Sequence, residues 1–173
     1  MGCMGTGGKD LLAIQGCARA NIPAIPLHSQ SPGIDTATII DSLRASLMKR
    51  VIATTQAPAA VGPYSQAIAA GGLLFCAGQI PLDPATGELI GTDVTTQTER
   101  VCQNISAVLK ENGFTFGNVV KTTVFLTDLA NFGAMNAVYS KFFTEPFPAR
   151  STIQVAGLPR GAQVEIEVTA SAE

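Results

Sequence analysis

Near its C-terminus the chain reads Gln163-Val164-Glu165-Ile166-Glu167-Val168. Successive side chains of a strand point to opposite faces, so Val164, Ile166 and Val168 share one face and Glu165 and Glu167 the other. A helical period would mix the aliphatic residues with the glutamates, so this stretch demands a sheet with one apolar face and one face carrying two carboxylates. Upstream, Phe147-Pro148-Ala149-Arg150-Ser151-Thr152-Ile153-Gln154-Val155 reads as a proline-stiffened turn that delivers an arginine onto the start of another strand. The turn Leu158-Pro159-Arg160-Gly161 lies between the two. A guanidinium mounted beside such a strand suits either an anion-binding site or a solvated face with an incidental salt bridge.

The remaining elements follow from spacing. Val51–Thr55 is β-rich, and Gln56–Pro63 is a loop that delivers Tyr64. Ala67-Ile68-Ala69 and Leu73-Leu74-Phe75-Cys76-Ala77 flank Gly71-Gly72, a hairpin signal. Gly78 interrupts the second of these strands, which fits either a β-bulge or a close approach by a ligand or neighbour. Asp83–Gly87 is turn chemistry. Asp93 is a good N-cap and Asn112-Gly113 a good stop; between them Val94, Val101, Ile105, Val108 and Leu109 form one helical stripe, with Arg100, Lys110 and Glu111 as solvated charges. Val119–Thr127 alternates as a strand. Asp128 or Asn131 caps a second helix with Phe132, Met135, Tyr139 and Phe142 or Phe143 as its core stripe, ended by Glu145-Pro146. The order is β-β-β, helix, β, helix, β, β. Two helices cover one face of such a sheet. The other face, assigned Thr122, Thr152, Gln154, Glu165 and Glu167, meets water or other subunits.

Composition divides the chain. Residues 1–50 carry five basic and three acidic side chains; residues 51–173 carry six and ten, which makes the domain acidic and a poor match for nucleic acid. The single histidine, His28, lies in the leader, so Ser-His, Cys-His and His-metal chemistry are denied to the domain. The four cysteines show no metal spacing; Cys76 and Cys102 read as reduced core thiols. No apolar run approaches a membrane span. Residues 1–50 are a leader with three readings besides an inert tail. Met1-Gly2-Cys3-Met4-Gly5-Thr6 fits N-myristoylation. The short basic helix pattern Ile39 or Ile40, Leu43, Leu47 fits an organellar (mitochondrial or plastid) presequence, and Met48 could be the true start, leaving a cytoplasmic protein.

Five motifs carry a resemblance: Gly62-Pro63-Tyr64-Ser65-Gln66, Ala77-Gly78-Gln79-Ile80-Pro81, Val120-Lys121-Thr122-Thr123-Val124, Pro148-Ala149-Arg150-Ser151 and Val164-Glu165-Ile166-Glu167. In order and spacing, from about Val51 onward, they resemble the RidA (YjgF) family of enamine/imine deaminases. The resemblance implies an α+β, chorismate-mutase-like mixed sheet with two helices on one face, assembled as a homotrimeric barrel with pockets at subunit interfaces. It implies hydrolysis of 2-iminobutanoate, 2-iminopropanoate or their enamine tautomers to 2-keto acids and ammonia, with no cofactor and no metal. Arg150 would hold the substrate carboxylate, and Glu165, taken to lie one strand over and kept partly ionised by Arg150, would position water. Tyr64 would line the pocket. Gly78 would contribute its backbone, and Ala77 replaces a serine common in the family. Thr152 stands where some bacterial members carry cysteine. Asn136 falls where the family places an asparagine near the site, or makes a helix-packing hydrogen bond. Glu167 is expected to be structural. A carboxylate-binding or chaperone-like protein without turnover, and a ribonuclease acting as a translation inhibitor, are the alternatives.

Overall fold

The computed structural model describes residues 35–37, 39–40 and 48–172. The acylation pattern, Cys3, Cys17, His28, Leu43 and Leu47 lie outside the described residues; Ile39 and Ile40 are helical and exposed. The elements are β1 (Arg50–Ile52), β2 (Ala67–Ala70), β3 (Leu73–Gln79), α1 (Val94–Glu111), β4 (Val119–Leu126), α2 (Phe132–Phe142), β5 (Ala149–Gln154) and β6 (Val164–Ser171). The strands form one sheet in the order β1-β2-β3-β6-β4-β5. Only the β4–β5 pair is parallel, because α2 carries the chain back to the same end between them.

Local chemistry sets most boundaries. Gly71 and Gly72 take φ of 59° and 78° between the paired Ala70 and Leu73, the two-residue turn that two consecutive positive φ values produce. Asp93 caps α1 by accepting from Thr96 N at 3.0 Å. Asp128 caps the single turn Leu129–Asn131, and α2 follows directly with no side-chain cap at Asn131. β1 is shorter than the sequence pattern predicts. The Gln66 side chain takes over the backbone of Thr54, accepting from its N–H at 2.7 Å and donating to its carbonyl at 3.0 Å, so the chain leaves the sheet after Ile52.

Both helices pack on one face. From that face Leu74, Val124, Leu126, Val164, Ile166 and Ala170 meet Val101, Ile105, Val108 and Leu109 of α1 and Met135 of α2, all fully buried. Burial of this kind stabilises by about 1.5–3 kcal/mol per large aliphatic side chain. Cys76 and Cys102 belong to the same core as free thiols, each pushed up to about 12 by burial. Arg100 is not simply solvated, since its Nε is buried.

The opposite face carries Val51, Phe75, Phe125, Ile153, Thr123, Glu165 and Glu167, and none of the described helices covers it. Val51, Phe75 and Ile153 are 60%, 47% and 47% exposed. The register corrects the expected membership of this face. Thr122 pairs with Val168 and Thr152 with Val124, and residues paired across a ladder share a face, so Thr122, Thr152 and Gln154 belong to the helix side. Thr122 is fully buried there, its hydroxyl 3.0 Å from that of Tyr139. A polar β-branched residue reads as exposed until its partner is known.

Candidate functional site

The residues singled out in the sequence form two groups, not one. The first surrounds Arg150. On the edge strand β5, Arg150 pairs with Thr122 of β4 and so points to the helix side. There α2 presents Phe132, Asn136 and Tyr139, spaced i, i+4, i+7 on one helical face. Arg150 Nη1 donates to Asn136 Oδ1 at 2.8 Å. The guanidinium lies 5.4 Å from the Phe132 ring centre and 4.6 Å from that of Tyr139, within cation–π range of both. Phe143 stacks on Tyr139 at 4.0 Å, and Phe116 meets Phe143 edge-on, so the aromatic floor is itself fixed. Burial raises the Tyr139 pKa, opposed by the Thr122 hydrogen bond and the Arg150 charge. The result is a braced guanidinium with donors to spare for a carboxylate. Asn136 bonds the arginine directly, which ties α2 to β5 at this point and fixes the guanidinium. Thr152 lies two residues along the same strand on the same side.

The second group lines a cleft of about 920 Å³. Tyr64, Gly78 and Glu165 open onto it, with the Asp83–Glu88 turn as one wall and Pro159-Arg160 at another. The Tyr64 hydroxyl accepts from Val61 N at 3.3 Å, which closes the Gly62-Pro63 turn. Gln66 fixes the base of that loop by donating also to the Pro58 carbonyl at 2.7 Å. Gly78 lies in a β-bulge: Cys76 pairs with Val168 and Gln79 with Ile166, so two residues of β3 oppose the single Glu167. The Glu165 carboxylate folds over this bulge. Its pKa is raised, first by burial and second by the neighbouring Glu167 charge.

Two expectations are thereby corrected. Glu165 is not one strand from Arg150. β4 intervenes, which makes about 10 Å of lateral separation, and the side chains leave opposite faces. Within one chain Arg150 does not hold Glu165 ionised; no cation of the same chain is among the causes of its shift, which runs upward. The consecutive strands β5 and β6 are not neighbours, because β6 inserts between β3 and β4.

Gln66, Tyr139 and Arg160 are additions. Gln66 sat inside a motif without a role, although a polar residue opening an apolar strand is a cue. Tyr139 reads from its spacing as core, and the structure adds its face to the Arg150 site. Arg160 has φ of 60°, the only positive value at a non-glycine among the described residues, and lies 4.0 Å from Glu88 across the cleft. Both side chains are mostly exposed, so the pair adds little stability. Among the described residues no three His, Cys, Asp or Glu side chains converge as a metal site would require.

Residues 54–172 match the family described as Endoribonuclease L-PSP. The chain belongs to this family, that of the RidA (YjgF) proteins. Its relatives include the mouse protein named 2-iminobutanoate/2-iminopropanoate deaminase, 45% identical over 126 residues, which cover 73% of this chain and 93% of the mouse protein. The chloroplastic Reactive Intermediate Deaminase A of Arabidopsis thaliana is 45% identical over 157 residues, 90% of this chain and 82% of the relative. The crystal structure of E. coli TdcF with bound serine is 41% identical and matches with a TM-score of 0.68 over 72% of this chain and 99% of that one. The mixed six-stranded sheet with two helices on one face is the expected RidA-type α+β fold of the single chain.

Proposed function

We propose that the protein hydrolyses reactive 2-imino acids and their enamine tautomers, 2-iminobutanoate and 2-iminopropanoate among them, to 2-keto acids and ammonia. The observation that carries this reading is the Glu165 carboxylate, half-buried and with a raised pKa, facing a cleft in a chain 45% identical to a protein named for that activity. A base whose pKa is drawn toward neutrality suits proton transfer at physiological pH. The electrophile needs little help, because a protonated imine carbon is already activated. Glu165 takes a proton as water forms the new C–O bond, giving a carbinolamine. The proton returns to the nitrogen, the C–N bond breaks with its electron pair leaving on ammonia, and the remaining hydroxyl loses its proton as the ketone forms. Arg150 holds the substrate carboxylate in a bidentate fork, and Asn136 holds Arg150. Tyr64 and the Gly78 bulge shape the cleft, and Thr152 flanks Arg150.

This chemistry needs Arg150 and Glu165 together, and a single protomer puts them on opposite faces. We infer that the protein is a homotrimer in which Arg150 of one protomer completes the Glu165 cleft of another. Support comes from the apolar residues exposed on the uncovered sheet face and from the family. The test is a coupled assay. Threonine dehydratase generates 2-iminobutanoate, semicarbazide traps what escapes, and 2-ketobutanoate formation is followed. Wild type is expected to divert the imine; an inactive wild type removes the enzyme reading. A carboxylate binder without turnover is the second reading, favoured by the serine bound to TdcF. It predicts saturable binding of small carboxylates without hydrolysis.

The leader enters the same proposal. The alignment with the chloroplastic relative, over 157 residues, is longer than the stretch from Val51 to the end, so it extends into residues 1–50. We infer that this segment is an organellar presequence ahead of a domain spanning 51–173. A fusion of residues 1–50 to a fluorescent protein is expected to enter plastids or mitochondria; diffuse cytoplasmic signal would argue against it.

A further inference from the structure

Among the described residues, left-handed backbone demands glycine at most of the glycine positions in turns, but not at Gly78. Its φ is not positive. An alanine would adopt the same backbone without strain, so the glycine is there for space. The space is already taken. A Cβ at position 78 would overlap the Glu165 carboxylate, falling 2.8 Å from Glu165 Cδ and 3.0 Å from Cγ. Gly91, the other glycine whose Cβ would meet a neighbour under 3.0 Å, sits at φ +84° and is required by its backbone in any case. Gly78 is thus the single described glycine whose missing side chain is used by another residue's functional group.

The bulge explains why the meeting happens there. Glu165 and Gly78 belong to neighbouring strands, and the extra residue between Cys76 and Gln79 takes this stretch of β3 out of ladder register. Such a bulge bends its strand and increases the twist. The half-buried carboxylate can therefore lie along the backbone of β3 instead of standing straight out from the sheet.

We propose that Gly78 is a positioning residue for Glu165: its missing side chain creates the seat in which the carboxylate is held over the β3 bulge, and an alanine there evicts it. This rests on the reading of Glu165 as the proton-transferring group, but it makes a claim about the carboxylate that can be read without turnover. The motif Ala77-Gly78-Gln79 and the motif Val164-Glu165-Ile166-Glu167 then form one device, split between two strands. The raised pKa of Glu165 fits the seat, since a carboxylate turned out to solvent would lose the burial that raises it.

The experiment compares wild type, Gly78→Ala, Glu165→Asp and the double variant Gly78→Ala/Glu165→Asp, using full-length protein. The Glu165 side-chain carboxyl carbon is followed by NMR through a pH titration, alongside thermal melting and 2-iminobutanoate hydrolysis. In Gly78→Ala the Glu165 titration is expected to fall back toward the ordinary glutamate value, with kcat reduced about tenfold or more and KM little changed. If Gly78→Ala fails to fold, shortening the side chain by one methylene removes the closest overlap, that with Glu165 Oε1, so the double variant is expected to fold. The proposal is overturned if Gly78→Ala folds and leaves the Glu165 titration unchanged. It is overturned equally if Gly78→Ala and the double variant both fail to fold while Glu165→Asp folds. A wild type without hydrolase activity but with the titration shift in Gly78→Ala would remove the deaminase reading and leave the seat standing.

Discussion

Arg150 and Glu165 are held in opposite ways. The guanidinium is mounted on an edge strand, over two aromatic rings and against an asparagine, with its charge compensated by π-faces and one neutral acceptor. The carboxylate is mounted inside the sheet, on β6 between β3 and β4, with no cation of its own chain acting on it and a second carboxylate nearby. The cation is made comfortable where it stands, while the anion is made reactive. A pair optimised as an internal salt bridge would look different: each charge would lower the other's energy and neither would remain available to a ligand. Separation onto two faces leaves both free for a ligand, and in the proposed trimer a second protomer would bring them together.

The largest expected effect tests that separation. Arg150→Ala and Glu165→Ala should each abolish imine hydrolysis while remaining folded. Co-expressed, the two should recover about a quarter of wild-type activity, because in a randomly mixed trimer one interface in four combines an intact Arg150 with an intact Glu165. Activity measured on purified mixed oligomers decides it. No recovery would mean that each site draws both residues from one chain, and the comparison above would collapse.

The next effect lies on the arginine side. Asn136→Ala removes the bond at 2.8 Å but leaves the aromatic floor. The expected loss is about tenfold in kcat/KM, mostly through KM, in line with about 1.5 kcal/mol for a hydrogen bond to a charged group. Arg150→Lys should lose more than this despite keeping its charge, because an ammonium cannot reproduce the fork. Steady-state kinetics on 2-iminobutanoate, with melting curves as a control, separates the two.

Much of this arrangement was legible in the residues. The alternation of Val164–Val168 set the faces of β6, Gly71-Gly72 set the hairpin, and Asp93 and Asn112-Gly113 set the ends of α1, because each is governed by local geometry. The Arg150–Glu165 relation was not legible. It depends on β6 entering the sheet between β3 and β4, a long-range pairing that no local pattern encodes. Thr122 misled for the same reason, since its hydroxyl reads as solvent-facing until Tyr139 is known to meet it. The Phe132-Asn136-Tyr139 face could have been found, as its helical spacing was visible. An aromatic stripe at helical spacing usually packs as core, and no local pattern shows that a cation from β5 lies over it.

A smaller effect is expected on the carboxylate side. A group acting as a base when ionised gives an acid limb in the pH–rate profile near its pKa, so activity should fall with decreasing pH above the ordinary glutamate value. Glu167→Gln removes the second cause of the shift and leaves burial, the first. The acid limb should move to lower pH with the plateau little changed. A limb that stays in place would mean that burial alone sets Glu165, and that Glu167 serves only its exposed face.

The smallest effect is on stability, and its sign follows from the same shift. A carboxyl whose pKa is higher in the folded than in the unfolded chain favours folding in its protonated form. Its contribution is fully present below the unfolded value and is lost as pH rises through the folded one. At neutral pH, then, wild type carries an ionised, half-buried Glu165 at some cost, and Glu165→Gln should melt higher there. Below pH 4 wild type is protonated too, and the difference should shrink toward zero. Paired melting curves across this range read the effect directly. Since half the side chain is open to solvent, the gain should be no more than a few degrees. If Glu165→Gln melts lower than wild type at pH 7, the carboxylate has a stabilising partner, and the contrast with the well-compensated Arg150 fails at its carboxylate end.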